Sequence, residues 1–180
     1  MPVGILRNVD GSANDTPGDG DSPGKSPVWL IYSTAIAIVG ADQAAKFGAF
    51  HWLQPAGSIP LTSWLNLTWA TNTGGAFGVF ETNAGRLAAV AAAVVVGLIL
   101  IAPHLGSSRL LAFGIAGIMG GAVGNLIDRM RVGYVIDYID LGFWPVFNIA
   151  DIAISVGAGL LIIATLLGHP HPASSGEDSD

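Results

Sequence analysis

A chain of 180 residues, 51% hydrophobic and only 11% charged, is one domain's worth of sequence and too apolar for an ordinary soluble fold. Zero cysteines exclude a disulfide framework, Cys-ligated zinc, iron–sulfur clusters and a thiol nucleophile, so any catalysis must use oxygen or nitrogen groups. Much of the formal charge of −6 comes from the two tails (Asp10, Asp15, Asp19, Asp21, Glu177, Asp178 and Asp180), and the basic residues are scattered without a stripe, which excludes a nucleic-acid partner.

Residues 1–27 are rich in Gly, Pro, Ser, Asn and Asp and cannot bury enough surface to offset their ordering entropy, so a disordered tail is expected there. No basic segment directly precedes an apolar one as in a cleavable signal peptide, and the first apolar stretch is expected to be retained. Four apolar stretches then follow, about 28–47, 86–103, 110–127 and 151–168, each near the ~20 residues that cross a bilayer. The sequence therefore predicts a four-helix transmembrane domain over 28–168, with 169–180 a second disordered tail on the same side as the first. The third stretch, FGIAGIMGGAVGN, spaces Gly117 from Gly121 and Gly120 from Gly124 by four residues, the small-xxx-small pattern of close helix approach in lipid, and should occupy the bundle centre. Lys and Arg counts on the two sides do not settle orientation. Length is more informative: the side facing the tails holds only a short turn, whereas the other holds 48–85 and 128–150, with Trp52, Trp64, Trp69 and Trp144 suited to a headgroup-level belt.

Ionisable groups gathered at one membrane face are costly and point to function. On this face stand Asp42, Lys46, Asn66, Asn72, Asn125, Asp128, Arg129, Asp137, Asp140, Asn148 and Asp151. Asp42 and Lys46 have the i, i+4 spacing of a helical ion pair, which leaves a structural role and substrate contact both open. Asn125, Asp128 and Arg129 share one helical face, and Asp128 beside Arg129 is expected to pair with it and tie down the following chain. Asn148 can cap the fourth helix with Asp151 at its positive end, a reading that by itself requires no chemistry. Asp137 differs: in YVIDYID it lies in a β-like run, where desolvation without a basic neighbour raises its pKa. Facing Asp151, it could share one proton, one carboxyl activating water and the other polarising a peptide carbonyl. No Ser/His or Ser/Lys arrangement competes at this face, and His51 with the carboxylates shows no HExxH or HxH spacing, so no metal or other cofactor is expected.

The motifs DQAAK (42–46), LNLTWATNTGGAFG (65–78), GGAVGNLIDRMRVGYVIDYID (120–140) and FNIADIAISVG (147–157) stand in the order found in one family. Over residues 28 to about 168 the chain resembles the lipoprotein signal peptidases, also called signal peptidase II. The resemblance implies an aspartic endopeptidase whose dyad maps onto Asp137 and Asp151, with Asp42, Lys46, Asn66, Asn72, Gly75, Asn125, Asp128, Arg129 and Asn148 as substrate-binding or site-scaffold residues. It implies diacylglyceryl-modified prolipoprotein substrates cut before the lipidated cysteine, inhibition by globomycin, and a monomer among membrane lipid in the bacterial cytoplasmic membrane. The site would lie near the outer face with both termini cytoplasmic. The implied fold is an all-α membrane protein with a small extramembrane β-sheet and an interfacial helix, assigned to 48–85. The Asp137 to Asp151 separation is short for the family, which bears on the flap over the site. The competing reading is a small membrane transporter or proton-coupled channel, suggested by Gly-rich helices and intramembrane Asp but lacking a visible repeat.

Overall fold

The chain alternates long apolar helices with short strands, in the order α1 (Val28–Ala56), β1 (Ser58–Pro60), β2 (Asn66–Asn72), α2 (Ala84–Ile101), α3 (Arg109–Val132), β3 (Val135–Asp140) and α4 (Ile149–Gly168). These come from a computed structural model that describes residues 28–74, 84–104 and 108–168; the two tails and Gly75 lie outside the described residues. All four helices are long and apolar enough to cross a bilayer, which makes this a multi-pass membrane protein.

α3 is the central helix, mostly buried and packed against each of the other three. Its glycines explain how. A Cβ at Gly117 would come within 2.7 Å of Ala153 O in α4, and one at Gly121 would collide with Ala150 O in the same helix. One at Gly120 would meet Ala35 O of α1 at 2.9 Å, and one at Gly124 would meet Asp42 Oδ2 at 2.5 Å. The two interleaved pairs thus serve one neighbour each, as the spacing anticipated. An apolar layer of Ile31, Ala35, Ala102, Ala112, Ile115, Ala116 and Met119 closes the end of the bundle nearer the tails. The buried polar residues occupy the other end.

Two helices outrun their expected ends, for local reasons. α1 continues past residue 47 to Ala56, where Gly57 at φ 76° turns the chain and donates its N–H to Leu53 O at 2.7 Å. Its added turns bury Ala49 and Leu53 against Ile136 and Tyr138 of β3. Residues 48–56 are therefore the continuation of α1 instead of a separate interfacial helix. α3 keeps Asp128, Arg129 and Arg131 in its last turns, where the cations suit the helix's negative end, and stops at Gly133, φ 83°.

Past that left-handed glycine β3 begins at Val135 and joins a three-stranded antiparallel sheet in the order β1-β2-β3. Ala70 stands opposite Asp137 and Asn72 opposite Val135, with an irregularity in β2 between Leu67 and Ala70. β3 is buried on both faces over Val135–Tyr138, so the alternation read from YVIDYID does not mark a wet side. Ile136 and Tyr138 face α1, which turns Asp137 the other way.

Candidate active site

Three elements bring Asp137 and Asp151 together, and Asn148 joins them. Asn148 Nδ2 donates to Asp137 Oδ1 at 2.7 Å, and Asn148 N donates to Asp151 Oδ2 at 3.2 Å. In return Asn148 Oδ1 accepts from Asp151 N at 2.9 Å, the reciprocal pattern of a helix N-cap, so the cap and the site are one structure. Asn72, diagonal to Asp137 across the sheet, donates to Asp137 Oδ2 at 3.1 Å. Asn125 Nδ2 donates to Asp151 Oδ1 at 2.8 Å.

The two carboxyls have different surroundings. Asp137 is 2% exposed, and its burial, reinforced by the neighbouring Asp151, pushes its pKa up to about 6; the bonds from Asn72 and Asn148 and the charge of Lys46 oppose that rise. Asp151 instead lines a cleft of about 330 Å3 together with Asn72, Asn125, Arg129, Phe147, Ile154 and other residues. One carboxyl is thus withdrawn from solvent, while the other borders the cleft. Tyr138, next to Asp137, is pushed up to about 12 by burial and by nearby carboxylates, so it remains a neutral phenol.

Beneath the pair, Lys46 lies 2.9 Å from Asp42 Oδ2 and 2.8 Å from Asp128 Oδ2, all three side chains being buried. The i, i+4 pair read from the sequence is there, but the expected Asp128–Arg129 pair is not. Adjacent residues on a helix point about 100° apart; Asp128 turns inward to Lys46, while Arg129 turns along the cleft with Nη1 3.4 Å from Asn125 O and Nε buried without a hydrogen-bond partner. Asn66 also stays away from the cluster, at the opposite end of β2 from Asn72 and facing Asp140. Asp140 holds the sheet and the next turn, accepting from Thr68 Oγ1 at 2.9 Å and from Gly142 N at 2.8 Å. Sequence reasoning missed Gln43, whose Nε2 donates to Asp42 Oδ2 at 3.2 Å and Asp128 Oδ1 at 3.0 Å. Its place beside Asp42 in DQAAK was the available signal. Among the described residues no group of three or more His, Asp or Glu side chains converges as metal ligands would.

Comparison with known proteins follows the same lines. The chain superimposes on a bacterial membrane enzyme solved by the in meso method at 2.3 Å resolution with a TM-score of 0.76, at 25% identity and covering 88% of this chain and 98% of the other. A second such enzyme, solved at 1.9 Å, gives a TM-score of 0.73 at 27% identity, covering 82% and 99%. Fold and site thus define a multi-pass membrane enzyme with its polar groups gathered at one end of the bundle. Residues 34–167 match the family model described as signal peptidase (SPase) II, and the chain belongs to that family of peptidases. The lipoprotein signal peptidase of Caldanaerobacter subterraneus subsp. tengcongensis is 44% identical over 128 residues, covering 69% of this chain and 87% of that protein. That of Caulobacter vibrioides is 40% identical over 155 residues, covering 81% and 92%. Nothing in these relatives supports a transporter or channel. Among the described residues the buried polar groups also stop at the apolar layer around Ile115 and do not continue across the bundle.

Proposed function

We propose that this protein is an aspartic endopeptidase that removes signal peptides from diacylglyceryl-modified prolipoproteins, cutting before the lipidated cysteine, with Asp137 and Asp151 as its catalytic dyad. The observation that carries the reading is that one residue, Asn148, holds both carboxyls, one desolvated and one open to the cleft. Asp137 in its protonated form polarises the scissile carbonyl, and Asp151 as carboxylate takes a proton from water. Water oxygen bonds to the carbonyl carbon while the Asp137 proton moves to the carbonyl oxygen, giving a neutral gem-diol. Its collapse breaks the C–N bond, returns one proton to Asp137 and passes the proton held by Asp151 to the leaving amine. The dyad ends as it began.

Arg129, which lines the same cleft, offers a guanidinium donor to a substrate carbonyl. With four spans, Val28 and Gly168 fall on the face opposite the dyad, so the reading places both termini in the cytoplasm and the site near the outer face of the bacterial cytoplasmic membrane, in a monomer. The test is incubation of the purified protein with a lipidated prolipoprotein and with the same prolipoprotein left unlipidated. Cleavage of the first alone, lost in Asp137→Asn and in Asp151→Asn, is the expected result; equal cleavage of both would refute the substrate assignment.

A further inference from the structure

The oxygens gathered by Lys46 reach further than an ion pair. Asp42, held by Lys46 through Oδ2, accepts from Ala150 N at 3.0 Å through Oδ1. Asp128, held through Oδ2, accepts from Ile136 N at 3.1 Å at that same oxygen. Ala150 immediately precedes Asp151, and Ile136 immediately precedes Asp137. The two carboxylates that the ammonium draws together therefore each grip the backbone one residue before a carboxyl of the dyad. A third branch leads to the side chains: Lys46 Nζ donates to Asn125 Oδ1 at 2.8 Å, and Asn148 Nδ2 donates to the same oxygen at 3.1 Å. An ammonium has only donors, so the Asn125 amide cannot turn over without setting its NH2 against Lys46. Its NH2 is thereby committed to Asp151 Oδ1.

We propose that Lys46 is a positioning residue for the dyad: its ammonium sets the separation of Asp137 and Asp151 through Asp42 and Asp128, and commits the Asn125 amide to Asp151. The proposal rests on the reading of Asp137 and Asp151 as the dyad. Lys46 does not line the cleft that Asp151 borders; it acts from α1 on α3, β3 and α4 at once. Two carboxyls that share a proton and a water tolerate little displacement, and an error of about 1 Å can cost roughly 100-fold in rate. Burial serves this purpose, because at 2% exposure the ammonium is held by its three partners in surroundings of low dielectric constant, where each contact is stronger than in water.

The test compares Lys46→Met, Lys46→Arg and the triple variant Asp42→Asn/Lys46→Met/Asp128→Asn, each full length in detergent, with Asp137→Asn and Asp151→Asn as references. Turnover is normalised to folded protein. Lys46→Met should lower kcat roughly 100-fold with KM unchanged. It should also move the upper limb of the pH profile to higher pH, because Asp137 is faced by Asp151 from α4, Arg129 from α3, Asn72 from β2 and Lys46 from α1, and loses a cation that opposes its raised pKa. Lys46→Arg keeps the charge but displaces the donors, so it should lower kcat while keeping the parental limb. Lys46→Met strands two buried carboxylates and can unfold the protein; the triple variant removes those charges while its amide oxygens still accept from Ala150 N and Ile136 N. It should show the same low kcat. Should neither Met-bearing variant fold, the kcat of Lys46→Arg decides. Parental kcat and pH limb in the folded variants would overturn the proposal, and full turnover by either dyad variant would instead overturn the reading beneath it.

Discussion

The raised pKa of Asp137 is also a statement about stability. Burial and the neighbouring Asp151 move this carboxyl from its ordinary 3.8 to about 6, so the folded state keeps a proton that the unfolded chain has already lost. The stabilisation from that proton is fully present below about pH 4 and is lost as pH rises through about 6. The interval corresponds to about 3 kcal/mol, and the side chain is buried enough for little of it to be screened away. Asp137→Asn removes the titration at nearly constant shape. It also has a cost, since Asn72 and Asn148 both donate to the carboxyl while an amide offers one oxygen, leaving one donor unmatched at about 1 kcal/mol. The variant should therefore be more stable than the parent at pH 8, by about 2 kcal/mol, and less stable at pH 4 by about 1 kcal/mol. Thermal denaturation in detergent, followed by circular dichroism from pH 4 to pH 8 for both proteins, reads this difference, with the carboxylates remote from Asp137 cancelling. A parent-to-variant gap that stays constant across that range would refute the account of Asp137 as a desolvated, proton-holding group.

Activity should follow a bell-shaped pH profile whose limbs belong to the pair, with the upper limb at or above the value of about 6 set by Asp137; a rate still climbing with pH through 9 would contradict a shared proton. EDTA should leave turnover unchanged, and recovery by added zinc or manganese after its loss would point to a metal-activated water on the same carboxylates. Arg129→Ala, which leaves the Lys46 ion pairs untouched, should reduce turnover much more than the melting temperature; equal falls in both would return Arg129 to a scaffold role. Gly121→Ala places a Cβ against Ala150 O and should destabilise the protein by about 1–3 kcal/mol, whereas Gly97→Ala, with open space around the new atom, should be neutral or slightly stabilising; similar melting temperatures for the two would count against close α3–α4 packing.

Several features could be read from the chain because their signals are local. The apolar stretches mark the spans because length and hydropathy suffice, and the FGIAGIMGGAVGN pattern marks the central helix because close approach needs glycine at helical spacing. The Asn148 cap over Asp151 follows from an i, i+3 spacing, and the motifs carrying Asp137 and Asp151 identify the family. Other features were decided only where elements from distant parts of the sequence meet. Asp128 stands next to Arg129 in the chain yet bonds to Lys46, because helix geometry turns neighbours apart and α1 brings the ammonium to the inward face. Asn72 belongs to the site and Asn66 does not, although both lie on β2, because the register with β3 sets Ala70 against Asp137 and carries Asn66 to the far end. α1 runs on to Ala56 because β3 supplies Ile136 and Tyr138 as partners for Ala49 and Leu53, which the sequence of α1 does not reveal. The difference between the two carboxyls likewise belongs to the tertiary structure: burial of Asp137 behind Asn72 and Asn148 and the place of Asp151 on the cleft arise from packing among distant elements, and desolvation is a property of what surrounds a group.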